Sequence, residues 1–352
     1  MSGTGSIGGP SRGRTALATT AALVLVLAAG CAGLPGLGGG GGGPPPAPDQ
    51  VPAGADYVVT VHVSELRSDD AVRRVLNASL SGGSADVGST TTAGALDEFE
   101  NETDLDGRKL TDVVVFGRYP PEDAPPESPD YAGFVLTTDW SESDLVTAIE
   151  TDAQGSVSES TYGGKTLYEL PTDAGGDASY LGVLADGRFV VGTRAAVTDA
   201  IDVETDEADA LDGDLRDRYE ATREDGYVRF AAAVPQDRVP AGQVGGRLDT
   251  EVFNDVTTVA GSQYADDGDV GANVTLTFAS ESAASDATNV IDGAVSLYSG
   301  MLPDDRTEVK AVLDGVTTTR DGTAVTVSTE ASADTWTALL ERLNGPSAGR
   351  SL

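Results

Sequence analysis

The sequence predicts an α+β protein of two domains, each an antiparallel sheet with helices packed on one face. Three observations lead there. Short β-branched stretches alternate apolar and polar residues and come in pairs joined by turn residues. Between the pairs run apolar stripes of helical period. About 300 residues follow a glycine- and proline-rich tract, enough for two ordinary domains. A doubly wound parallel sheet fits less well, because hairpin-joined strands pair antiparallel.

The elements follow in order. "DYVVTVHVSEL" (56–66) reads as a strand around Val59, Val61 and Val63, and a helix follows through Val72, Val75 and Leu76. Residues 81–94 read as a loop of small residues. "TDVVVFGRY" (111–119) is a buried-type strand, "PPEDAPPESP" (120–129) a proline-rich excursion, and "YAGFVLTTD" (131–139) the returning strand. Ser141 opens a helix with Asp144 three residues on, as in a capping box, and Leu145, Val146 and Ile149 share a face. "TLYEL", "SYLGVLA" and "RFVVGT" read as antiparallel strands, the last two joined by the hairpin signal Asp186-Gly187. A helix through Val197 and Ile201 closes this half, and the acidic stretch 203–214 marks a boundary.

The second half repeats the alternation. "LRDRYEATRE" predicts a helix with Asp214–Arg218 and Arg216–Glu220 at ion-pair spacing. Strands are expected near 226–234, 255–264, 272–279, 307–313 and 323–329. A long helix carries Ala283, Ala287, Val290, Ile291, Ala294 and Leu297, and a last one carries Trp336, Leu339, Leu340 and Leu343 before Asn344-Gly345-Pro346 stops it. Segment 134–150 resembles 274–292, and 185–195 resembles 320–331, which points to an internal duplication. The expected organisation is a leader over 1–30, a tether over 31–50, domains over 51–212 and 213–345, and a tail over 346–352.

Composition bounds the partners. Asp and Glu number 57 against 22 Lys and Arg, a formal charge of −35. Binding to nucleic acid needs clustered cations, and no basic run exceeds a pair such as Arg73-Arg74. Only Lys109, Lys165 and Lys310 are lysines. An acidic, lysine-poor chain rich in Ala, Val, Thr and Asp resembles the proteins of extreme halophiles, in which molar salt screens like charges beyond about 3 Å.

The N-terminus carries a second resemblance. Arg12 and Arg14 precede the apolar run 15–30, "TALATTAALVLVLAAG", which ends in small residues. That order is a secretory signal, and the run is short for a membrane span of about 20 apolar residues. Leu27-Ala28-Ala29-Gly30-Cys31 resembles the lipobox of exported lipoproteins, with leucine one place early. The resemblance to a haloarchaeal exported lipoprotein implies that Cys31, the only cysteine, becomes the lipidated first residue of the mature chain. "GLGGGGGGPPPAP" (36–48) then reads as a flexible-to-extended spacer. The implied location is the outer face of the cytoplasmic membrane.

Catalytic patterns are sparse. His62 is the only histidine and falls on the polar face of its strand. With one His and one Cys, a His/Cys zinc site is excluded, and no Gly-x-Ser-x-Gly elbow occurs. Gly164-Lys165-Thr166 lacks the first glycine of a phosphate loop and reads as a turn. Glu102, Asp104 and Asp106 imitate the start of a calcium loop but end in Val113 rather than glutamate, and Asp266, Asp267 and Asp269 form a similar acidic turn. Asn77, Asn101 and Asn273 head N-glycosylation sequons. No catalytic, cofactor or metal residue is assigned.

The first expectation is therefore a lipid-anchored, non-catalytic accessory or interaction module whose partners are the membrane and envelope proteins. The alternative is a solute-binding receptor of an importer, and the third reading a hydrolase working through carboxylates alone.

Overall fold

The computed structural model describes residues 47–80, 91–120, 131–153, 155–171, 178–235, 251–303 and 306–344. Among these residues the strands are β1 (Tyr57–His62), β2 (Leu110–Arg118), β3 (Tyr131–Thr138), β4 (Ser158–Tyr162), β5 (Lys165–Glu169), β6 (Tyr180–Ala185), β7 (Arg188–Gly192), β8 (Val228–Ala233), β9 (Val256–Asp266), β10 (Asp269–Phe278), β11 (Thr317–Asp321) and β12 (Ala324–Ser332). The helices are α1 (Val63–Ser68), α2 (Asp70–Leu80), α3 (Thr92–Thr103), α4 (Glu142–Ala153), α5 (Arg194–Glu204), α6 (Gly213–Glu220), α7 (Glu281–Met301), α8 (Thr307–Asp314) and α9 (Ala333–Asn344).

All twelve strands lie in one sheet, in the order β11-β12-β10-β9-β8-β1-β2-β3-β7-β6-β5-β4, with every neighbour antiparallel. The α+β class is thus the one the hairpin-rich sequence predicts. The two halves do not form separate sheets: β1 pairs with β8 from Tyr57↔Ala232 to Val61↔Val228, across the acidic stretch read as a boundary. Outward from that seam the order mirrors itself, β1-β2-β3-β7-β6 on one side and β8-β9-β10-β12-β11 on the other. The segments that resemble each other are equivalent in this order. β3 feeds α4 as β10 feeds α7, and each Asp-Gly hairpin, β6–β7 and β11–β12, feeds a helix.

Period-two alternation sorts the core onto two faces. On one, Val61, Val113, Leu136 and Phe189 lie in register and pack under α2, α4 and α9 through Val72, Leu145 and Trp336. On the other, Val114, Val135 and Val190 pack under α5 through Val197 and Ile201. In the second half the latter face carries Thr319, Thr326 and Thr275 in one row and Thr317, Ser328 and Asn273 in the next. Polar residues stand there because α9, unlike its counterpart α5, packs on the opposite face.

The local signals act as read. Ser141 and Asp144 form the reciprocal cap, each backbone N–H donating to the other's side chain at 3.1 Å. Gly187 turns β6 into β7 at φ +68°, and Gly163 and Gly164 turn β4 into β5 at positive φ. Arg216 pairs with Glu220 at 2.7 Å.

Three local expectations are corrected. Residues 307–313 are helical, not a strand: Val309, Val312 and Leu313 recur at i, i+3 and i+4, and the strand lies later, at β11. The first strand stops at His62 because Val63 and Leu66 are both buried by one turn of α1. The end of the supposed 81–94 loop is the start of α3, where Thr91 accepts from Gly94 N–H at 3.1 Å and Phe99 is buried. Residues 81–90, all of the proline-rich excursion 120–129 but Pro120, and the residues after 344 lie outside the described residues.

The ring of Phe116 lies over Gly133, its partner on β3, where an added Cβ would stand 2.4 Å from Phe116 Cζ. Overpacking of this kind costs about 1–3 kcal/mol. Gly133→Ala is expected to lower the unfolding free energy in molar salt by that amount, seen in equilibrium unfolding as a lower denaturant midpoint with an unchanged slope.

Candidate functional site

The chain is stitched into the body from Ala47 on, inside the 31–50 stretch expected to be a tether. Ala47–Gln50 form a 3-10 turn, and Val51 is fully buried. Val51 C=O accepts from Leu211 N–H at 2.7 Å, Ala53 N–H donates to Asp209 C=O at 3.0 Å, and Pro52 bridges Ala210. The acidic stretch 203–214 is therefore the partner of the incoming chain. Asp49 pairs with Arg216 at 2.8 Å, and Arg216 also donates to Leu211 C=O.

Arg118 closes the other side. Nε donates to Gly54 C=O at 3.0 Å, Nη2 to Ala53 C=O at 3.2 Å and to Asp199 at 3.3 Å, and the guanidinium lies 3.9 Å over the Tyr131 ring. Tyr131 is placed there by strand register, opposite Arg118, and its hydroxyl donates to Asp199 at 2.8 Å. Burial, reinforced by the Asp199 carboxylate, raises the phenol pKa, so Tyr131 stays a donor through the ordinary pH range. A planar five-donor cation is suited to hold two carbonyls and a carboxylate together, which lysine could not do in one plane. The arrangement is a mechanical junction between residues 49–54 and the rest of the body. Sequence reasoning passed over Arg118, whose signal was faint: a lone arginine ending an apolar strand.

His62 is half-buried rather than simply exposed. It ends β1 opposite Asp112, with Nδ1 and Oδ1 2.6 Å apart. Glu65, on the following turn, has one carboxylate oxygen buried without a partner, and burial is the largest cause of its raised pKa. Asp112 raises it further while His62 opposes the rise. Tyr227, whose carbonyl accepts from His62 N–H, is likewise raised by burial and by Asp69. A His–Asp pair can orient an imidazole for proton transfer, but among the described residues no hydroxyl is bonded to the other ring nitrogen.

A carboxylate with a raised folded-state pKa favours folding in its neutral form. The stability it contributes is present in acid and is lost as pH rises through the folded pKa. Glu65→Gln is expected to raise Tm at neutral pH, and the gain should vanish below the ordinary glutamate pKa; a thermal-unfolding series across pH reads both.

Two open clefts flank the helices. One, of about 420 Å³, lies between α3 and α4 and gathers Glu100, Asp104, Asp106 and Asp144 with Lys109 and Trp140. Two of the three calcium-like acids, Asp104 and Asp106, have structural uses here. Asp104 caps α3 in the left-handed region, Asp106 accepts from Arg108 N–H at 2.9 Å, and Arg108 reaches Asp97 and Glu100. Trp140 is buried, donates to Asp106 C=O and stacks on Phe99, so its ring is no platform for a ligand. The other acidic turn is the β9–β10 hairpin, with Asp267 and Gly268 at positive φ. The second cleft, about 440 Å³, lies between α2 and α9 beside the Arg74–Asp334 ion pair. Among the described residues no three His, Cys, Asp or Glu side chains are placed to hold a metal ion.

The sequons lie apart from one another. Asn77 Oδ1 accepts from Thr92 N–H and hydroxyl at 2.9 and 2.8 Å. Asn273 sits mid-sheet on β10 and accepts from Ser262 N–H and hydroxyl. Asn101 is exposed, but its sequon is helical, and Thr103 is buried with its hydroxyl donating to Phe99 C=O at 2.7 Å. A transferase needs both the amide and the hydroxyl. The folded protein is therefore expected to take no glycan from an oligosaccharyltransferase in vitro, whereas the unfolded chain accepts one, as read by intact mass. Cys31 lies outside the described residues.

With the geometry in hand, comparison with known proteins adds little. No protein-family model matches the sequence, and no curated protein does. The chain is similar to crystal forms III and IV of TP0453, at 11% identity and TM-scores of 0.44 and 0.45, covering 84% of this chain and 98% and 96% of those chains. No described helix is long and apolar enough to cross a membrane.

Proposed function

We propose that the protein is a lipid-anchored, non-catalytic accessory module on the outer face of the cytoplasmic membrane, held by a lipid on Cys31 and facing envelope proteins. The observation that carries this reading is the junction. The first residues after the Gly/Pro tract are fixed by Arg118, Arg216 and the 209–211 backbone, as suits a body suspended by its N-terminus. The lipobox-like leader and the single cysteine support the same reading. A solute receptor works by closing two lobes about a hinge. Here β1 and β8 tie both halves into one sheet, which favours the accessory role over the receptor.

Native chain crosslinked in living cells and purified from membranes in molar salt tests this. Mass spectrometry should find an N-terminal peptide that begins at Cys31 with a lipid mass, together with envelope proteins. Crosslinked permease subunits would favour the receptor, and an N-terminus retaining Met1 or Ser2 would overturn the anchor.

A further inference from the structure

The mirrored halves show which parts of each helix the fold requires. Ser141-Glu142-Ser143 and Ser280-Glu281-Ser282 occupy equivalent positions at the starts of α4 and α7. α4 has 12 residues and α7 has 21. The residues that seat α7 on the sheet, Ala283, Ala284 and Ala287, all lie within the length it shares with α4. The remaining nine residues, from Gly293, extend the helix by about 13 Å.

This extension differs in kind from the rest of the surface. From Gly293 to Pro303 no Asp, Glu, Lys or Arg occurs, in a chain of charge −35. It holds the exposed large apolar side chains of the described residues: Leu297, Tyr298 and Met301 are 41, 47 and 52% exposed. Arg306 precedes α8 and the exposed Lys310 lies on it, just beyond the apolar end, while Glu308 is paired with Arg342 at 3.1 Å. An apolar strip containing a tyrosine, followed by cations, suits the boundary between acyl chains and headgroups. The exposed Asp292 and Asp314, on either side of this stretch, limit how deep it can sit.

We propose that the C-terminal half of α7 is a second membrane contact, inserted shallowly into the lipid surface that carries the anchor. This rests on the lipid-anchor reading. Ala47, where the described body begins, lies sixteen positions after Cys31, so the chain can span at most about 55 Å. Carboxylates are costly to bring out of water into lipid, and the charge-free helix end is the part of the surface that carries none. Three side chains are also far less than the roughly 800 Å² per partner that a stable protein interface buries. Lipid is therefore the better occupant than a second copy.

Tyr298→Trp provides the probe, because Trp140 and Trp336 are buried. The full chain with its native N-terminus is reconstituted in molar salt into vesicles of phosphatidylglycerol and phosphatidylcholine, with and without brominated acyl chains. The new indole is expected to shift to the blue and lose most of its emission to bromine. Adding Leu297→Glu and Met301→Glu should abolish both effects with near-UV circular dichroism unchanged. A vesicle-bound, lipidated chain with an unquenched indole at 298 overturns the contact and leaves the anchor standing. Quenching in a chain whose native N-terminus is shown by mass spectrometry to carry no lipid supports the contact and overturns the anchor. A blue-shifted indole without vesicles, with doubled mass by light scattering, overturns the proposal in favour of a second copy.

Discussion

The architecture depends on one strand pair, β1 against β8. Each half presents an edge strand that is apolar on both faces, with Val58 and Val61 on β1 and Val228 and Ala231 on β8 buried. Left unpaired, such an edge would expose a ladder of backbone donors and acceptors beside apolar side chains. Joining the two edges satisfies both and makes one sheet of twelve strands. The seam is closed from one side by α6. Thr60 on β1 and Tyr219 on α6 share a 2.7 Å hydrogen bond, and Arg229 on β8 donates to Tyr219 C=O and lies 4.6 Å over its ring. A buried phenol needs such a partner, and this one ties together residues that are 159 positions apart.

Around the seam the halves diverge where their surroundings differ. The helix after the first Asp-Gly hairpin covers one face of the sheet, and the helix after the second covers the other. The second half therefore carries a threonine- and serine-rich face where the first carries valines. α9 instead reaches back to α2, placing Trp336 in the large core with its indole N–H donating to Val270 C=O at 3.0 Å.

The charge imbalance shapes how cations are used. With 22 basic residues against 57 acids, a cation that makes several contacts is worth more than one that makes a single contact. Arg67 binds the carbonyls of Gly107, Arg108 and Leu110, and Arg118 and Arg216 each hold the entering chain and an acid. These arginines act as clips between segments. Among the described residues no Asp or Glu is buried as a whole residue, so the carboxylates stay in contact with solvent.

What the sequence determined by itself is what a ten-residue window contains. The capping box at Ser141, the Asp186-Gly187 hairpin, the mirrored strand–helix order and most strands were legible because period, cap and turn chemistry are local. The reading of 307–313 failed for the same reason, since a short apolar run fits either period until packing chooses. Tertiary structure decided the rest. The union of two predicted sheets, the burial of Thr103 in a sequon, the pairing of His62 with Asp112 and the seating of Arg118 all join residues distant in sequence. The exposure of the α7 extension belongs with them: its apolar residues look the same in sequence as those of a buried helix. Only the folded structure shows that the helix is seated through Ala283, Ala284 and Ala287 and that Leu297, Tyr298 and Met301 are left in solvent.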